Sequence, residues 1–461
     1  MAANKIMRGF YPVIDKVGRR FTSLLKFSFP TIIMMLFLSL YTMVDGVMVS
    51  RLISTAALSA VNIIFPLVSV IIGAGIMLSS GASAIIARKM GEGRPREAKE
   101  DFTFVVIIGV AFGAVLTALG MLFTGQLVRL LGANEAIFGL CCEYTFILAC
   151  FIIPSMLQLL FQNFFVTAGK PALGLAITIL GGVANIVLDY VFIAVFDMGI
   201  GGAAVATGIG YSISGFFGLF YFAFNRKCSL YFVKPKWKVS VLKHTCLNGA
   251  SEMVTNLSSA IVTLLFNLVM IDLAGEDGVA AISILLYAQF FLTAVYLGYS
   301  SGIAPVISYN YGSGNKPVLN RIFKNSVIFI TAGSLATCLA SLLFGGDLAA
   351  VFAPKGSAVF NLATEGFYLF SFSFLFMGIN IFASSIFTAL SNGLVSAVIS
   401  FTRTFAFIVP ALLLLPGIIG LNGVWLAIPI AETLGAIVTV WCFVKNRGYF
   451  VNGPSSGQKE G

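Results

Sequence analysis

The chain has 461 residues, of which 59% are hydrophobic and only 10% are charged. Soluble domains carry about 25% charged residues, so this composition excludes an ordinary globular protein and indicates a chain that crosses a membrane many times. The net charge of +10 does not indicate a nucleic-acid partner, because such binding needs basic residues clustered on one folded face. Seven scattered cysteines without a CxxC pair and a single histidine predict neither a zinc site nor a disulfide framework, and we expect no cofactor.

Long apolar runs separated by turn signals predict twelve membrane-spanning helices and therefore an all-α polytopic membrane protein. The predicted spans cover residues 24–50, 57–87, 101–124, 136–166, 171–196, 203–224, 245–273, 278–308, 321–345, 360–390, 395–416 and 423–444. The turn signals between them include GANEA, AGKPA, DMGIGG and, between spans nine and ten, GGDLAAVFAPKGS.

Lysine and arginine are distributed unequally between the two sides of the predicted spans. One side receives 24 of the 28 basic residues, and the other receives only Arg51, Arg129 and Lys355, with Arg403 inside a span. Basic loops stay in the cytoplasm, so both termini are predicted to be cytoplasmic.

Residues 79–93 match residues 300–314 at an offset of 221 with six of fifteen positions identical, which predicts two parallel six-helix repeats.

These two patterns divide the chain into five parts. We predict a cytoplasmic N-terminal segment at 1–23, an N-lobe of spans one to six at 24–224 and a cytoplasmic linker at 225–244. A C-lobe of spans seven to twelve follows at 245–445, and a tail at 446–461. The glycines at GxxxG spacing, such as Gly298 and Gly302, predict close helix packing.

Four polar residues lie inside spans of the first half, where a charged side chain costs roughly 2.5–3.5 kcal/mol on insertion scales. They are Asp45, Asn185, Asp189 and Thr207. At the 221 offset their partners in the second half are Phe266, Ala406, Pro410 and Ile428. Since the second half builds the same scaffold without these groups, they indicate function, although a structural network specific to the first half is the alternative. Two carboxylates with amide and hydroxyl neighbours can hold a proton or bind Na⁺ through oxygen atoms.

The second half has its own polar residues inside spans: Glu252, Asn256, Arg403 and Glu432. One interpretation is that Glu252 and Arg403 neutralise each other. The other is that Glu252 recognises substrate or belongs to a gating pair, and Glu432 fits either interpretation.

At these residues the chain resembles the multidrug and toxic compound extrusion (MATE) family over nearly its whole length. The resemblance is carried by FPTIIMMLFLSLYTMVDGVMVSRL in span one, TAGKPALGLAITILGGVANIVLDYVFI across spans four and five, and GIGGAAVATGIG in span six. One branch of this family has a cation-binding site in the N-lobe. For this chain, the resemblance implies that Asp45, Asn185, Asp189 and Thr207 form that site. Glu252 matches a glutamate common early in span seven, whereas 366–390 lacks the aspartate that some relatives carry in span ten.

The resemblance implies a secondary active antiporter of the cell inner membrane that works by alternating access. Such a protein exports organic, often cationic, drugs in exchange for H⁺ or Na⁺ and contributes to antibiotic resistance. The expected partners are small-molecule drugs or toxic organic cations and membrane lipids, and we expect a monomer.

Several other functions fit the sequence less well. An ATP-driven pump would need GxxxxGK[ST], which is absent, and no His, Cys and Asp residues have the spacing of an enzyme active site. A lipid-linked oligosaccharide flippase would line its cavity with several basic residues, but only Arg403 lies within a span. A passive channel has no need of a carboxylate site in only one repeat.

The distribution of basic residues makes a direct prediction about topology. In a cysteine-labelling experiment with a membrane-impermeant reagent, a cysteine at Asp277 or Lys355 should react in intact cells, and one at Lys236 should react only after permeabilisation. Labelling of position 236 from outside would contradict the predicted orientation.

Overall fold

The computed structural model describes residues 17–18 and 20–448, and that part of the chain is almost entirely helical and contains no strand. Most of the predicted N-terminal segment 1–23 and of the tail 446–461 lies outside the described residues. The described helices form two lobes of six spans each, which confirms the predicted fold class.

The N-lobe contains spans one to six, and span four is bent by 57° between its two halves. In order, the spans are Phe21–Leu52, Thr55–Gly91, Pro95–Leu122, Glu135–Cys150 with Ile152–Thr167, Pro171–Asp189 continued by a π-helical turn Tyr190–Val195, and Gly199–Phe224.

The C-lobe contains spans seven to twelve, of which the first two form the continuous helix Val239–Gly312. The others are Lys316–Phe352, Ala358–Phe370 with Ser371–Ser373 and Phe374–Ala389, Gly393–Phe401 with a π-helical segment Thr402–Ile408 and Val409–Ile419, and Leu421–Lys445.

The helix Val239–Gly312 has 74 residues, so at 1.5 Å per residue it would be roughly 110 Å long if straight. A bilayer core is about 30 Å thick, so this segment must cross it twice. The reversal lies at Gly275, whose φ of 63° and ψ of −155° are not helical and are readily adopted only by glycine. With this segment counted as spans seven and eight, the described residues contain twelve spans.

One local prediction was wrong, and one short helix was not predicted. The double glycine at Gly345 was expected to end span nine, but the helix continues to Phe352. A Cβ on Gly345 would lie 2.8 Å from Phe367 Cβ, so this glycine allows close packing against span ten. The sequence also gave no sign of the short helix Thr124–Leu130, which follows span three.

The predicted linker packs against the N-lobe. Phe232 stacks on Phe102 with ring centroids 5.1 Å apart, and the backbone N–H of Val233 donates to Thr103 Oγ1 at 3.1 Å. Lys236 Nζ lies 3.2 Å from Glu100 Oε2. These contacts attach the linker to span three.

Among the described residues, the apolar core that joins the two lobes lies toward one end of the molecule. One cluster, here the shared core, joins residues of both lobes near the basic loops, among them Leu78, Ile86, Phe102, Tyr299, Ile303 and Ile386. We call this end of the molecule the basic end. Toward the opposite end each lobe has a cluster of its own, around Ile64 and Ile200 in the N-lobe and around Phe367 and Trp425 in the C-lobe.

Glycines bring the lobes into backbone contact at the basic end. A Cβ on Gly81 would collide with the carbonyl oxygen of Thr245, and one on Gly249 would collide with that of Met77. Gly91 and Gly312, which are equivalent at the 221 offset, meet the backbone oxygens of Tyr309 and Arg88 in the same way. The contacts follow the symmetry of the repeat.

Gly298 and Gly302 extend this contact to span one. A Cβ on Gly302 would meet Thr31 Oγ1, and one on Gly298 would meet the backbone of Ile32. The close packing predicted from the GxxxG spacing is therefore confirmed. Because these neighbours are largely backbone atoms, they cannot turn aside to accommodate a larger residue.

We predict that Gly249→Val separates the lobes at the basic end. With the native cysteines replaced, a single cysteine at Ser80, between the lobes, should react with a maleimide several-fold faster than in the parent protein. Gly139→Val is the control, because a Cβ there has no neighbour within 4 Å. Equal labelling rates in both variants would show that the glycine contact does not hold the lobes together.

Candidate ion and substrate site

Asp45 on span one and Asp189 at the end of Pro171–Asp189 face each other inside the N-lobe, and their carboxyl groups interact directly. Asp189 is completely buried. Among the described residues, no hydrogen-bond donor reaches either oxygen of Asp189 or Oδ1 of Asp45. A buried carboxylate without donors is costly, so the pair favours uptake of a proton or a cation.

Asn185 and Thr207 lie next to this pair. Asn185 shares a helix face with Asp189 one turn away, and its Nδ2 donates to Thr207 Oγ1 at 3.4 Å, while its Oδ1 is buried without a partner among the described residues. The structure thus brings all four predicted N-lobe residues into one region. The oxygens of Asp45, Asp189 and Asn185 are of the type that Na⁺ accepts.

The backbone explains why these side chains meet. A Cβ on Gly181 would lie 2.8 Å from the carbonyl oxygen of Gly210, and one on Gly210 would lie 3.1 Å from Asn185 Cβ. Spans five and six therefore touch through their backbones beside Asn185. Directly after Asp189 the helix widens into the π-helical turn Tyr190–Val195, a feature often found at functional sites.

Three tyrosines that the sequence analysis missed surround the aspartates. Tyr41, Tyr144 and Tyr211 all lie within electrostatic range of Asp45. Tyr41 precedes Asp45 by one helical turn and Tyr211 follows Thr207 by one turn, so helical spacing could have identified both. Tyr144 comes from the bent span four, and no pattern in the sequence links it to the others.

The second group of polar residues lies in the C-lobe. Arg403 Nε lies 3.3 Å from Glu432 Oε1, and Glu432 Oε2 accepts a hydrogen bond from Asn380 Nδ2 at 2.7 Å. Asn380 Oδ1 in turn accepts from Thr439 Oγ1 at 2.8 Å. Arg403 belongs to the π-helical segment of span eleven. Asn380 and Thr439 were not predicted from the sequence.

Glu252 stands apart from that network. It lies within electrostatic range of Arg403, but the ion pair of Arg403 is with Glu432. Asn256 Nδ2 donates to the backbone oxygen of Glu252 at 2.9 Å, and not to its carboxylate. Glu252 instead lines a small cavity of about 30 Å³ between the lobes, together with Ser80, Asn163, Ser301 and Thr388. No group of three or more His, Cys, Asp or Glu side chains suited to a metal was found within residues 17–18 and 20–448.

The contact beside Asn185 can be tested by thermal unfolding in detergent. Gly181→Ala places a Cβ against Ser214 and Gly210 and should destabilise the protein by about 1–3 kcal/mol through overpacking. Gly46→Ala, one residue after Asp45, is the control because its Cβ would have no neighbour within 4 Å. A melting temperature that falls no further for Gly181→Ala than for Gly46→Ala would contradict the close contact.

Comparison with known families connects this arrangement to transporters. The family model described as MatE matches the chain twice, over residues 30–191 and 252–413. The two matches begin 222 residues apart (252 minus 30), within one residue of the offset found in the sequence. The internal repeat is therefore confirmed.

Curated relatives match almost the full length. The multidrug export protein MepA of Staphylococcus saprophyticus is 24% identical over 426 residues, which cover 91% of this chain and 92% of the relative. MepA of Staphylococcus aureus strain N315 is 24% identical over 424 residues with the same coverage.

Solved structures share the fold. A MATE protein in complex with MaL6 has a TM-score of 0.89 at 23% identity, covering 94% of this chain and 98% of that chain. An outward-facing multidrug resistance MATE family transporter of the MOP superfamily has a TM-score of 0.88 with the same identity and coverage. With the family model matching well over half of its length, this multi-pass membrane protein belongs to the MatE family of multidrug and toxic compound extrusion transporters.

Proposed function

We propose that this protein is a secondary antiporter that exports organic, often cationic, compounds in exchange for inward-moving H⁺. Membership of the MatE family and relatives named as multidrug export proteins support the export of small molecules. The observation that carries the coupling proposal is the Asp45–Asp189 pair, in which Asp189 is completely buried and neither its two oxygens nor Asp45 Oδ1 has a donor among the described residues.

The carboxyl pair is a place where the coupling ion can bind. Two adjacent carboxylates in an apolar lobe repel each other and lack hydration, so holding one proton between them relieves both costs. Na⁺ is the other candidate, with Asp45, Asp189, Asn185 and Thr207 as its oxygen ligands. We favour H⁺ because no dense carbonyl-rich loop is evident in the sequence to complete a sodium shell.

Transport also requires two states of the lobes. In the state described here the shared core and the glycine contacts close the basic end, while each lobe keeps its own core at the opposite end. If the basic end is cytoplasmic, this state faces outward. We propose that protonation of the aspartate pair changes the balance between this state and one open to the cytoplasm, since a ligand shifts two states only by its different affinity for them.

The remaining features of the proposal follow from the predicted topology. We place the protein in the bacterial inner membrane with both termini in the cytoplasm and in contact with membrane lipids, functioning as a monomer. Glu252, Asn256, Arg403 and Glu432 are assigned to substrate binding or gating in the C-lobe.

The aspartate pair is tested by replacing each carboxylate with its isosteric amide. Asp45→Asn and Asp189→Asn should each abolish gradient-driven efflux from proteoliposomes while leaving the protein folded, because the shape is kept and ion uptake is lost. Asn185→Ala should reduce efflux only partly. The matched control is Asp272→Asn, which changes an exposed carboxylate on span seven and should transport normally. Full efflux by Asp189→Asn under either gradient would refute the site.

The coupling ion is identified by removing one gradient at a time. Efflux is measured at fixed pH gradient with Na⁺ replaced by choline, and then at fixed Na⁺ gradient with the pH gradient collapsed. The proposal expects efflux to survive the first condition and to stop in the second. The reverse result would assign the coupling to Na⁺.

A further inference from the structure

The linker between the lobes is held in a fixed position beside the start of span three. Besides the stacking and hydrogen bond described above, Lys99 Nζ lies 3.9 Å from the centroid of the Tyr231 ring. Farther along the chain, the Trp237 ring meets Phe104 edge-on, with the two centroids 5.6 Å apart. Contacts at both ends of residues 231–237 therefore hold this segment against the N-lobe as an ordered surface.

This surface lies at the boundary of the membrane. The apolar run of span three begins at Phe102 and continues to Leu122 without a charged residue, so the bilayer core begins close to Phe102. Trp237 contacts Phe104, inside that run, and yet is 69% exposed. Val239, at the start of span seven, is also exposed. An exposed tryptophan at this depth is typical of the interface between lipid head groups and hydrocarbon.

The linker also carries positive charge without compensation. Residues 225–244 contain six basic residues and no acidic one. The adjacent segment 88–101 has five basic and four acidic residues, and each of its acidic side chains forms an ion pair with a basic residue of the same segment. Within the described part of the chain, Lys236 is the one linker lysine in an ion pair, and its side chain remains 60% exposed.

We propose that the linker is a binding surface for the head groups of anionic phospholipids in the leaflet at the basic end. Lys234, Lys236 and Lys238 bind the phosphate oxygens, and the Trp237 ring lies beside the upper part of the acyl chains. A basic segment next to a membrane gains about fivefold in binding to anionic lipid for each lysine or arginine.

The ion pair of Lys236 does not prevent this interaction. Glu100 is buried, but its Oε1 also pairs with Arg96 Nε at 3.4 Å. Lys236 can therefore turn toward a head group without leaving Glu100 as an unpaired charge. Lys234 is exposed, and Lys238 lies within electrostatic range of Asp101.

The depth of the surface favours lipid over an anion dissolved in water. A soluble anion would be attracted by the lysines but would leave the Trp237 ring in contact with water. A phospholipid supplies the negative charge and the apolar neighbour at the same place.

The test is quenching of Trp237 fluorescence by brominated lipid in nanodiscs. With Trp441 replaced by phenylalanine, the remaining tryptophans are Trp237 and the fully buried Trp425. Brominated phosphatidylglycerol is compared with brominated phosphatidylcholine at equal mole fraction. We expect the anionic lipid to be preferred by about fivefold or more in the parent protein and by less than about twofold in Lys234→Gln/Lys238→Gln. The preference should also fall in about 1 M salt, where the Debye length is about 3 Å.

Two further double variants make the result specific. Lys234→Arg/Lys238→Arg keeps both charges and should keep the preference, which separates loss of charge from misfolding. Lys316→Gln/Lys324→Gln removes two lysines from the start of span nine, at the same end of the molecule. This matched control should leave the quenching of Trp237 unchanged.

The outcomes decide the proposal without any measurement of transport, so they do not depend on the proposed antiport. Equal quenching by the two lipids in the parent protein would overturn the surface. Equal loss of preference in the glutamine and arginine variants of Lys234 and Lys238, or a similar loss in the span-nine control, would also overturn it. If millimolar inorganic phosphate at constant ionic strength abolished the preference, the surface would be a site for soluble anions instead of lipid.

Discussion

The main constraint on this structure is the free-energy cost of placing a carboxylate in the interior of a membrane protein. Asp45 and Asp189 place two carboxyl groups side by side, and three of their four oxygens have no donor among the described residues. Their neighbours are Asn185, Thr207 and the hydroxyl groups of three tyrosines, none of which carries a positive charge. Uptake of a proton or a cation lowers the cost of such an arrangement. In our proposal, the lobe thus provides a place where an ion changes the energy of the protein.

The second lobe has the same scaffold, but its buried carboxylate has a positively charged partner. Tyr211 and Glu432 are equivalent at the 221 offset. Tyr211 lies near Asp45, whereas Glu432 forms an ion pair with Arg403. Where the N-lobe leaves its carboxyl groups without counter-charge, the C-lobe pairs Glu432 with a fixed arginine. The repeat therefore supplies two halves of the same fold, and their chemistry differs because their polar residues differ.

The two lobes are joined at the basic end by close contacts between their backbones. Glycines such as Gly81 and Gly249 allow backbone contact only when the basic end is closed. The contact is formed by backbone atoms that cannot turn aside, so it leaves no room for a larger residue at these positions. In our proposal, the ion at the aspartate pair selects between the closed arrangement and its alternative. The linker packs on span three and would move with the N-lobe.

Much of this architecture could be predicted from sequence because it follows from strong, local rules. The twelve spans and the isolated Asp45 and Asp189 follow from the rarity of charge within apolar runs, and the repeat follows from the match between residues 79–93 and 300–314. Gly345 was misinterpreted because a glycine used for packing against Phe367 is identical in sequence to one that ends a helix.

The partners of the buried charges were harder to predict. The Arg403–Glu432 pair, Tyr144 beside Asp45 and the position of Asn380 depend on which helix faces which. No spacing along one helix contains that information. The sequence offered Glu252 as a partner for Arg403, whereas the packing of span twelve supplies Glu432.

In our proposal, the Asp45–Asp189 pair holds the coupling proton. Infrared difference spectroscopy of the purified protein measures this directly, because a protonated carboxyl group has a C=O stretching band that a carboxylate lacks. We predict such a band near neutral pH, with a shift in D₂O, and its loss in both Asp45→Asn and Asp189→Asn. A spectrum without a protonated carboxyl band at neutral pH, or a band that both variants retain, would contradict the account.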